Sequence, residues 1–387
     1  MTQEATSIDM LDCLIAFDTV SSKSNLELIT FVEAFLAEFG IASRRTVSPD
    51  GEKANLFATI GPDDPGGIVL SGHTDVVPVE GQPWTSDPFV MTRRDSRLYG
   101  RGTSDMKGFI AVCLALVPEA VRSPLGKPLH FAFSFDEEVG CTGVGHLIED
   151  VTRNLPMPAA VIIGEPSDMK LVNAHKGGYG FRTTVIGKEA HSSQLHRAGH
   201  AIDAAIDLVQ FVRQIAEEKR RAAPPDSPFD PPYSTLSVGT IVGGTALNIV
   251  PRECVFVWEM RPLPSDDAEE VLNRFNRFAE TEVLPRLREN APEASIVTEV
   301  EARVPPLKPE ADSPAEALVR LLTGANRSHV VSYCTEGGLF QRAGMSTVIC
   351  GPGSIDQAHR PDEFIEIAQI EACEDFLRRL IEWVATA

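Results

Sequence analysis

The chain has 387 residues, 43% hydrophobic and 23% charged, which is ordinary for a globular protein and long enough for two domains with sizeable cores. A formal charge of −20 argues against a surface built for nucleic acid or anionic membrane. Seven dispersed cysteines with no Cys-x-x-Cys argue against a disulfide framework and a zinc ribbon, and fit a reducing compartment. The first residues lack the basic start and apolar stretch of a signal peptide, and no apolar run approaches the roughly 20 residues that span a bilayer. A cytoplasmic protein with no membrane or nucleic-acid partner is expected.

In chain order, residues 8–40 predict two helices interrupted near Ser21-Ser22, with Leu11, Leu14 and Ile15, then Leu28, Val32, Phe35 and Leu36, at helical spacing. Strands are expected at 54–60 and 67–71, a helix from Met106 to Val117, and further strands at 128–135 and 160–164. The βα alternation predicts an α/β domain with a mixed, mostly parallel sheet flanked by helices. Near Gly178 the pattern changes. Strands at Tyr179–Ile186, Thr235–Ile241, Cys254–Met260 and Ser295–Val300, with helices at Ala201–Lys219 and 266–286, give the order βαββαβ of a ferredoxin-like α+β sandwich. After Pro305-Pro306 a helix at 313–323, a strand at 346–350 and a helix at 366–386 return to the first pattern. The expected boundaries are 1–178 and 303–387 for one domain and 179–302 for an inserted one. Between helix and strand, residues 222–232 form a proline-rich surface loop.

Chemistry-bearing residues follow the apolar runs. The chain reads Ile68-Val69-Leu70-Ser71-Gly72-His73-Thr74-Asp75, then Arg101-Gly102-Thr103-Ser104-Asp105, and then Phe131-Ala132-Phe133-Ser134-Phe135-Asp136-Glu137-Glu138. It continues with Val161-Ile162-Ile163-Gly164-Glu165 and with Val348-Ile349-Cys350-Gly351 running on to His359. In an open, mostly parallel sheet, functional groups collect beyond the carboxyl ends of the strands. His73, Asp105, Glu138, Glu165 and His359 are therefore expected to converge, and imidazoles with carboxylates but no thiolates suit a hydrolytic zinc site with room for water. Asp75, two residues after His73, alternates back to the same side and is expected to accept from the imidazole N–H.

These motifs resemble those of the dinuclear-zinc amidohydrolases, which include aminoacylases, carboxypeptidase G, succinyl-diaminopimelate desuccinylase and acetylornithine deacetylase. The resemblance covers essentially the whole chain. It is carried by Ser71-Gly72-His73-Thr74-Asp75-Val76-Val77-Pro78, by Tyr99 to Gly108, by Asp136-Glu137-Glu138 and by Gly164-Glu165-Pro166. The C-terminal signature, Tyr333-Cys334-Thr335-Glu336, then Gly351-Pro352-Gly353-Ser354-Ile355-Asp356-Gln357-Ala358-His359 and Pro361-Asp362-Glu363, is most similar to the acetylornithine deacetylases.

The resemblance implies that His73 and Glu165 bind one zinc ion, Glu138 and His359 a second, and that Asp105 bridges them, with cobalt able to substitute. It implies Glu137 as general base and acid, assisted by Asp75. His191, in Gly187-Lys188-Glu189-Ala190-His191-Ser192-Ser193, is expected to stabilise the oxyanion across a homodimer interface. Arg261, Asn248, Gly353 and Ser354 are implied substrate contacts, and Cys334 and Glu336 are expected to line the side-chain pocket. The implied reaction is hydrolysis of an N-acyl amino acid, foremost N2-acetyl-L-ornithine in arginine biosynthesis. A sibling acylase, succinyl-diaminopimelate desuccinylase or dipeptidase, and an inactive scaffold, are the alternatives. The glycine-rich Glu336-Gly337-Gly338-Leu339-Phe340 and the proline-rich loop are the places where substrate preference could differ. The inserted domain is implied to serve as lid and dimerisation surface.

Overall fold

The computed structural model describes residues 5–386. They divide into two compact units: one comprises the residues up to Ala174 with Leu307–Val330 and Thr335 onward, the other His175–Pro306 with Val331–Cys334.

The first unit is built on an eight-stranded sheet. Its order is Ser43–Val47, Ala54–Ile60, Leu129–Ser134, Ile68–His73, Ala160–Pro166, Thr347–Gly351, Val172–His175 and His329–Val331. The four central strands, Leu129–Ser134 through Thr347–Gly351, run parallel, and antiparallel strands flank them. Every residue of these four is buried, as expected where helices cover both faces. One face packs Leu70, Phe131, Phe133 and Ile162 against the helices Ser7–Ile15, Lys107–Ala115, Pro314–Thr323 and Ile367–Thr386. Gly164 makes this contact possible: a Cβ there would lie 2.0 Å from a ring carbon of Phe109. Val144–Asn154 and Gly337–Arg342 pack with each other and against the same sheet.

Three local features depart from the sequence reading. The expected Met106–Val117 helix is two, Lys107–Ala115 and Val117–Arg122, the second beginning around Pro118, which lacks an N–H that a helix start does not need. The expected 266–286 helix runs as Ala268–Phe278, a π-helical turn at Ala279–Val283 and Leu284–Arg288. Pro285 cannot donate the helical bond at that point. A small sheet of Thr92–Arg94, Arg97–Tyr99 and Phe364–Glu366 was not expected, because its strands are three residues long and largely polar.

The second unit is a two-layer sandwich. Its antiparallel sheet has the order Thr235–Gly243, Glu253–Arg261, Gly178–Ile186 and Ser295–Val304, the pattern of the ferredoxin-like fold. Phe181, Val185, Phe256, Trp258 and Met260 pack on the helices Ala201–Arg221 and Ala268–Phe278. Thr235–Gly243 is an edge strand and is largely exposed: Ile241 is 50% and Val242 74% accessible, and Leu247 just beyond it is fully exposed.

Candidate metal centre

Because the four central strands are parallel, their carboxyl ends share one edge of the sheet. Ile68–His73 ends on His73, Ala160–Pro166 carries Glu165 at its last turn, Leu129–Ser134 leads into Glu137-Glu138, and Thr347–Gly351 leads towards His359. Asp105 arrives from the segment before Lys107–Ala115.

These residues meet. His73 Nε2 lies 3.0 Å from Asp105 Oδ1 and 3.7 Å from Glu165 Oε1. His359 Nε2 lies 3.4 Å from the other Asp105 oxygen, Oδ2, and 2.9 Å from Glu138 Oε2. The two oxygens of one carboxylate thus face two imidazoles, each with a further glutamate beside it. His73, Glu137 and Glu165 bring ligand atoms within 4.8 Å of one another, and so do His73, Asp105 and Glu138.

The electrostatics follow from burial and crowding. Burial alone lowers the His73 pKa, but the Asp105 hydrogen bond and the charge of Glu165 raise it well above the ordinary imidazole value. His359 is raised to about 10 by its bonds to Asp105 and Glu138. Burial opposes ionisation of Asp105, yet its bonds to His359 and His73 hold it below the usual carboxylate range. Glu138 is pushed up to about 7 by burial and by Asp105, and burial drives Glu137 and Glu165 well up. Carboxylates that resist ionisation beside imidazoles that hold protons are a site where a cation can displace protons. The donor set, imidazole nitrogens and carboxylate oxygens without thiolate, fits a divalent ion that keeps positions open.

Asp75 is placed differently from expectation. His73 Nδ1 lies 2.9 Å from the Asp75 main-chain oxygen, whereas the carboxylate is 3.7 Å away. That carboxylate instead accepts from the backbone N–H of Glu137 at 3.1 Å and of Glu138 at 3.3 Å, and from Ser21 Oγ at 2.7 Å. The turn it clasps opens on Asp136, at φ 57° in the left-handed region and paired with Lys53. Asp75 therefore fixes the Glu137-Glu138 pair through its amides.

Glu336 precedes the Gly337–Arg342 helix and is 1% exposed. Ser71 Oγ donates to its Oε2 at 3.5 Å, and burial raises its pKa to about 7. Its charge acts on Glu137. Gly353 (φ 87°) packs so closely that a Cβ would meet Ser104 Oγ at 2.4 Å, and Gln369 and Asp168 engage its N–H and C=O. The Ser354 carbonyl accepts from Ser104 Oγ at 3.2 Å.

The remaining candidates belong to the second unit. His191 caps the short Ser192–Arg197 helix, is exposed, and bridges to Ile249 through the backbone. Ser192 N donates to Asn248 O at 3.0 Å, so His191 and Asn248 share one loop cluster. Arg261, at the end of Glu253–Arg261, pairs with Glu259 and donates to Cys334 Sγ at 3.2 Å.

Three residues escaped the sequence reading: Glu363, Gln82, and Arg101, which donates to Glu363 Oε2 at 2.6 Å. Glu363 ends the Pro361-Asp362-Glu363 motif, to which the resemblance attached no role, and it accepts backbone donors from the Asp105 segment. Gln82 reaches His359 O, 277 residues away, and no local signal marks it.

A doubly flanked parallel sheet with imidazoles and carboxylates gathered at its carboxyl edge defines a metal-dependent hydrolase. The chain belongs to peptidase family M20/M25/M40, whose family model matches residues 69–383. It is 34% identical over 378 residues to an acetylornithine deacetylase of Yersinia pseudotuberculosis serotype O:1b (strain IP 31758), spanning 95% of this chain and 93% of that protein. In fold it is similar to an M20 family metallo-carboxypeptidase from Sulfolobus solfataricus, with a TM-score of 0.76 and 18% identity over 98% of this chain and 99% of the other. It is also similar to a dinuclear metal-binding M20 peptidase from Bacillus subtilis, with a TM-score of 0.66 and 16% identity over 98% of each chain. The family resemblance and fold class expected from the motifs are both borne out.

Proposed function

We propose that the chain hydrolyses the amide bond of an N-acyl amino acid, with N2-acetyl-L-ornithine as preferred substrate and arginine biosynthesis as its setting in the cytoplasm. The carrying observation is the Asp105 carboxylate, which turns one oxygen to His73 and the other to His359. That arrangement supports a pair of divalent ions, zinc in the first instance with cobalt able to substitute, held by His73 and Glu165 on one side and Glu138 and His359 on the other. When bound, such ions acidify water and polarise a carbonyl oxygen. Extended relatives at about a third identity support the deacetylase substrate.

In this reading Glu137 takes the proton of the attacking water and delivers it to the departing amine. Burial resists ionisation of Glu137 in the metal-free protein. Asp75 keeps the carboxylate in place through the Glu137 amide. His191 donates to the oxyanion from a partner copy. The exposed Thr235–Gly243 edge and the neighbouring Leu247 and Ile249 support a homodimer through the second unit, with His191 beside that surface. Arg261 is assigned to the substrate carboxylate, and Asn248, Gly353, Ser354, Cys334 and Glu336 to the surroundings of the substrate. Closure of the second unit as a lid over the substrate belongs to the same reading.

The test is amine release from N2-acetyl-L-ornithine by zinc- or cobalt-loaded protein against a metal-stripped control, beside N-acetylmethionine, N-succinyl-diaminopimelate and a dipeptide. Metal-dependent preference for acetylornithine supports the proposal. Preference for another substrate moves the chain to a sibling acylase, desuccinylase or dipeptidase. No turnover by folded, metal-loaded protein favours a scaffold.

A further inference from the structure

His359 has an awkward position for a ligand. It sits in the left-handed region at φ 63°, its side chain is 55% exposed, and it follows a short 3-10 turn rather than a strand or long helix. Asp105 also comes from irregular backbone, 254 residues earlier by number. Something must set the distance between these two segments, and a chain of hydrogen bonds joins them.

Glu363 is the hub. Its Oε2 accepts from Arg101 Nη1 at 2.6 Å and Gly102 N at 3.0 Å, and its Oε1 accepts from Ser104 N at 2.9 Å and Asp105 N at 3.1 Å. Both Glu363 and Arg101 are 1% exposed, so these charge-assisted bonds are shielded from water. Arg101 carries the connection onward. Its Nη1 also reaches Arg360 O at 3.3 Å, and its Nη2 donates to Gln82 Oε1 at 2.7 Å. The Gln82 amide then donates from Nε2 to the main-chain oxygen of His359 at 3.0 Å. Trp84 holds the acceptor end of Gln82 with its indole N–H at 3.0 Å, while its ring lies 5.1 Å from the Arg101 guanidinium. One route therefore runs from the Asp105 amide through Glu363, Arg101 and Gln82 to the His359 carbonyl.

We propose that Glu363, Arg101 and Gln82 are positioning residues that set the spacing between Asp105 and His359, and with it the affinity of the metal position made by His359, Glu138 and Asp105. The inference rests on the metal-centre reading above. The position made by His73 and Glu165 stands on two strands of the sheet and shares only Asp105 with this route, whereas the His359 end depends on it at both segments. Groups that orient metal ligands without touching the ion typically account for about 10–100-fold in affinity.

The experiment is calorimetric titration of metal-stripped protein with Zn2+, in the presence of a competing chelator, for the wild type and the variants Gln82→Leu, Glu363→Gln and His359→Ala. Thermal unfolding of each stripped protein is measured alongside. Expected are two binding events in the wild type, loss of one in His359→Ala, and weakening of that same event by about 10–100-fold in Gln82→Leu and Glu363→Gln. In Gln82→Leu the other event stays within about twofold and the midpoint within about 2 °C of the wild type, while in Glu363→Gln the other event weakens less than the His359 event. Gln82→Leu, at a half-buried loop position, decides the matter if Glu363→Gln does not fold. Two unchanged events in Gln82→Leu overturn the inference while leaving the metal-centre reading intact. Equal weakening of both events together with a fallen midpoint also overturns it, in favour of a general structural role. A wild type that binds fewer than two ions overturns the metal-centre reading and this inference with it.

Discussion

At the scale of single residues, the proposed division of labour between two adjacent carboxylates is the first thing to test. Glu137 accepts from Cys141 Sγ at 3.4 Å, while Glu138 beside it faces His359. Glu137→Ala is expected to cut turnover by about 10²–10⁴-fold, the usual worth of a positioned acid–base group, while the protein still binds metal. Steady-state kinetics with metal analysis of the same sample checks this, and a near-normal rate would remove Glu137 from the mechanism. Proton linkage makes a second prediction. Glu138 titrates near 7 and His359 near 10, so a cation entering the site has to displace protons. Metal affinity should therefore rise with pH between about 6 and 8, and calorimetry in buffers of different ionisation enthalpy should register net proton release. Affinity independent of pH over that range would contradict the ligand assignment.

Among elements, the contact of the Ala160–Pro166 strand with the Lys107–Ala115 helix is the most sensitive to volume. Gly164→Ala puts a methyl group where the Phe109 ring lies, and an overpacked core of this kind costs about 3 kcal/mol. Chemical denaturation should show that loss, and Phe109→Leu in the same protein should recover part of it. Two buried histidines outside the centre, His130 on Leu129–Ser134 and His175 on Val172–His175, make stability depend on pH. Burial holds His130 and His175 down to about 4, below their unfolded value near 6.5. The unfolded chain therefore binds more protons in this window, and stability present above about 6.5 is lost as pH falls towards 4. Each group contributes up to about 3 kcal/mol to that loss. Urea midpoints between pH 7 and 5 should fall, and less steeply in His130→Asn; an equal slope would show that His130 is not a source of the acid sensitivity. Other strands show how far the sequence could be read. Ile68–His73 and Ala160–Pro166 were legible because a fully buried parallel strand is a short apolar run bounded by glycine or a polar residue. Ser43–Val47 and the strands of the small three-stranded sheet were not, since polar edge strands carry no such pattern. Of the five expected metal ligands, His73 and Glu165 were legible as strand-end residues, whereas Asp105, Glu138 and His359 rested on the motif resemblance. The contacts of Asp75, Gln82 and Glu363 were hidden, because their partners are main-chain groups that any sequence supplies.

For the molecule as a whole, the exposed edge of the second unit predicts association. Val242→Lys with Leu247→Asp should convert a dimer to a monomer in sedimentation velocity, and turnover should fall with it if His191 acts across the interface. A sharper test mixes two inactive proteins, Glu137→Ala and His191→Ala. Random exchange of protomers should restore up to about a quarter of the wild-type rate, since half the dimers then contain one complete site. No recovery after exchange would place His191 and Glu137 of the same chain together. The position of His359 carries a different consequence, for biosynthesis. A chain emerging from the ribosome presents His73, Asp105, Glu138 and Glu165 long before His359 has been translated. On the proposed ligand assignment, the position shared by Glu138 and His359 lacks its imidazole until then. On that assignment, full loading is an event of the finished polypeptide rather than of the nascent one.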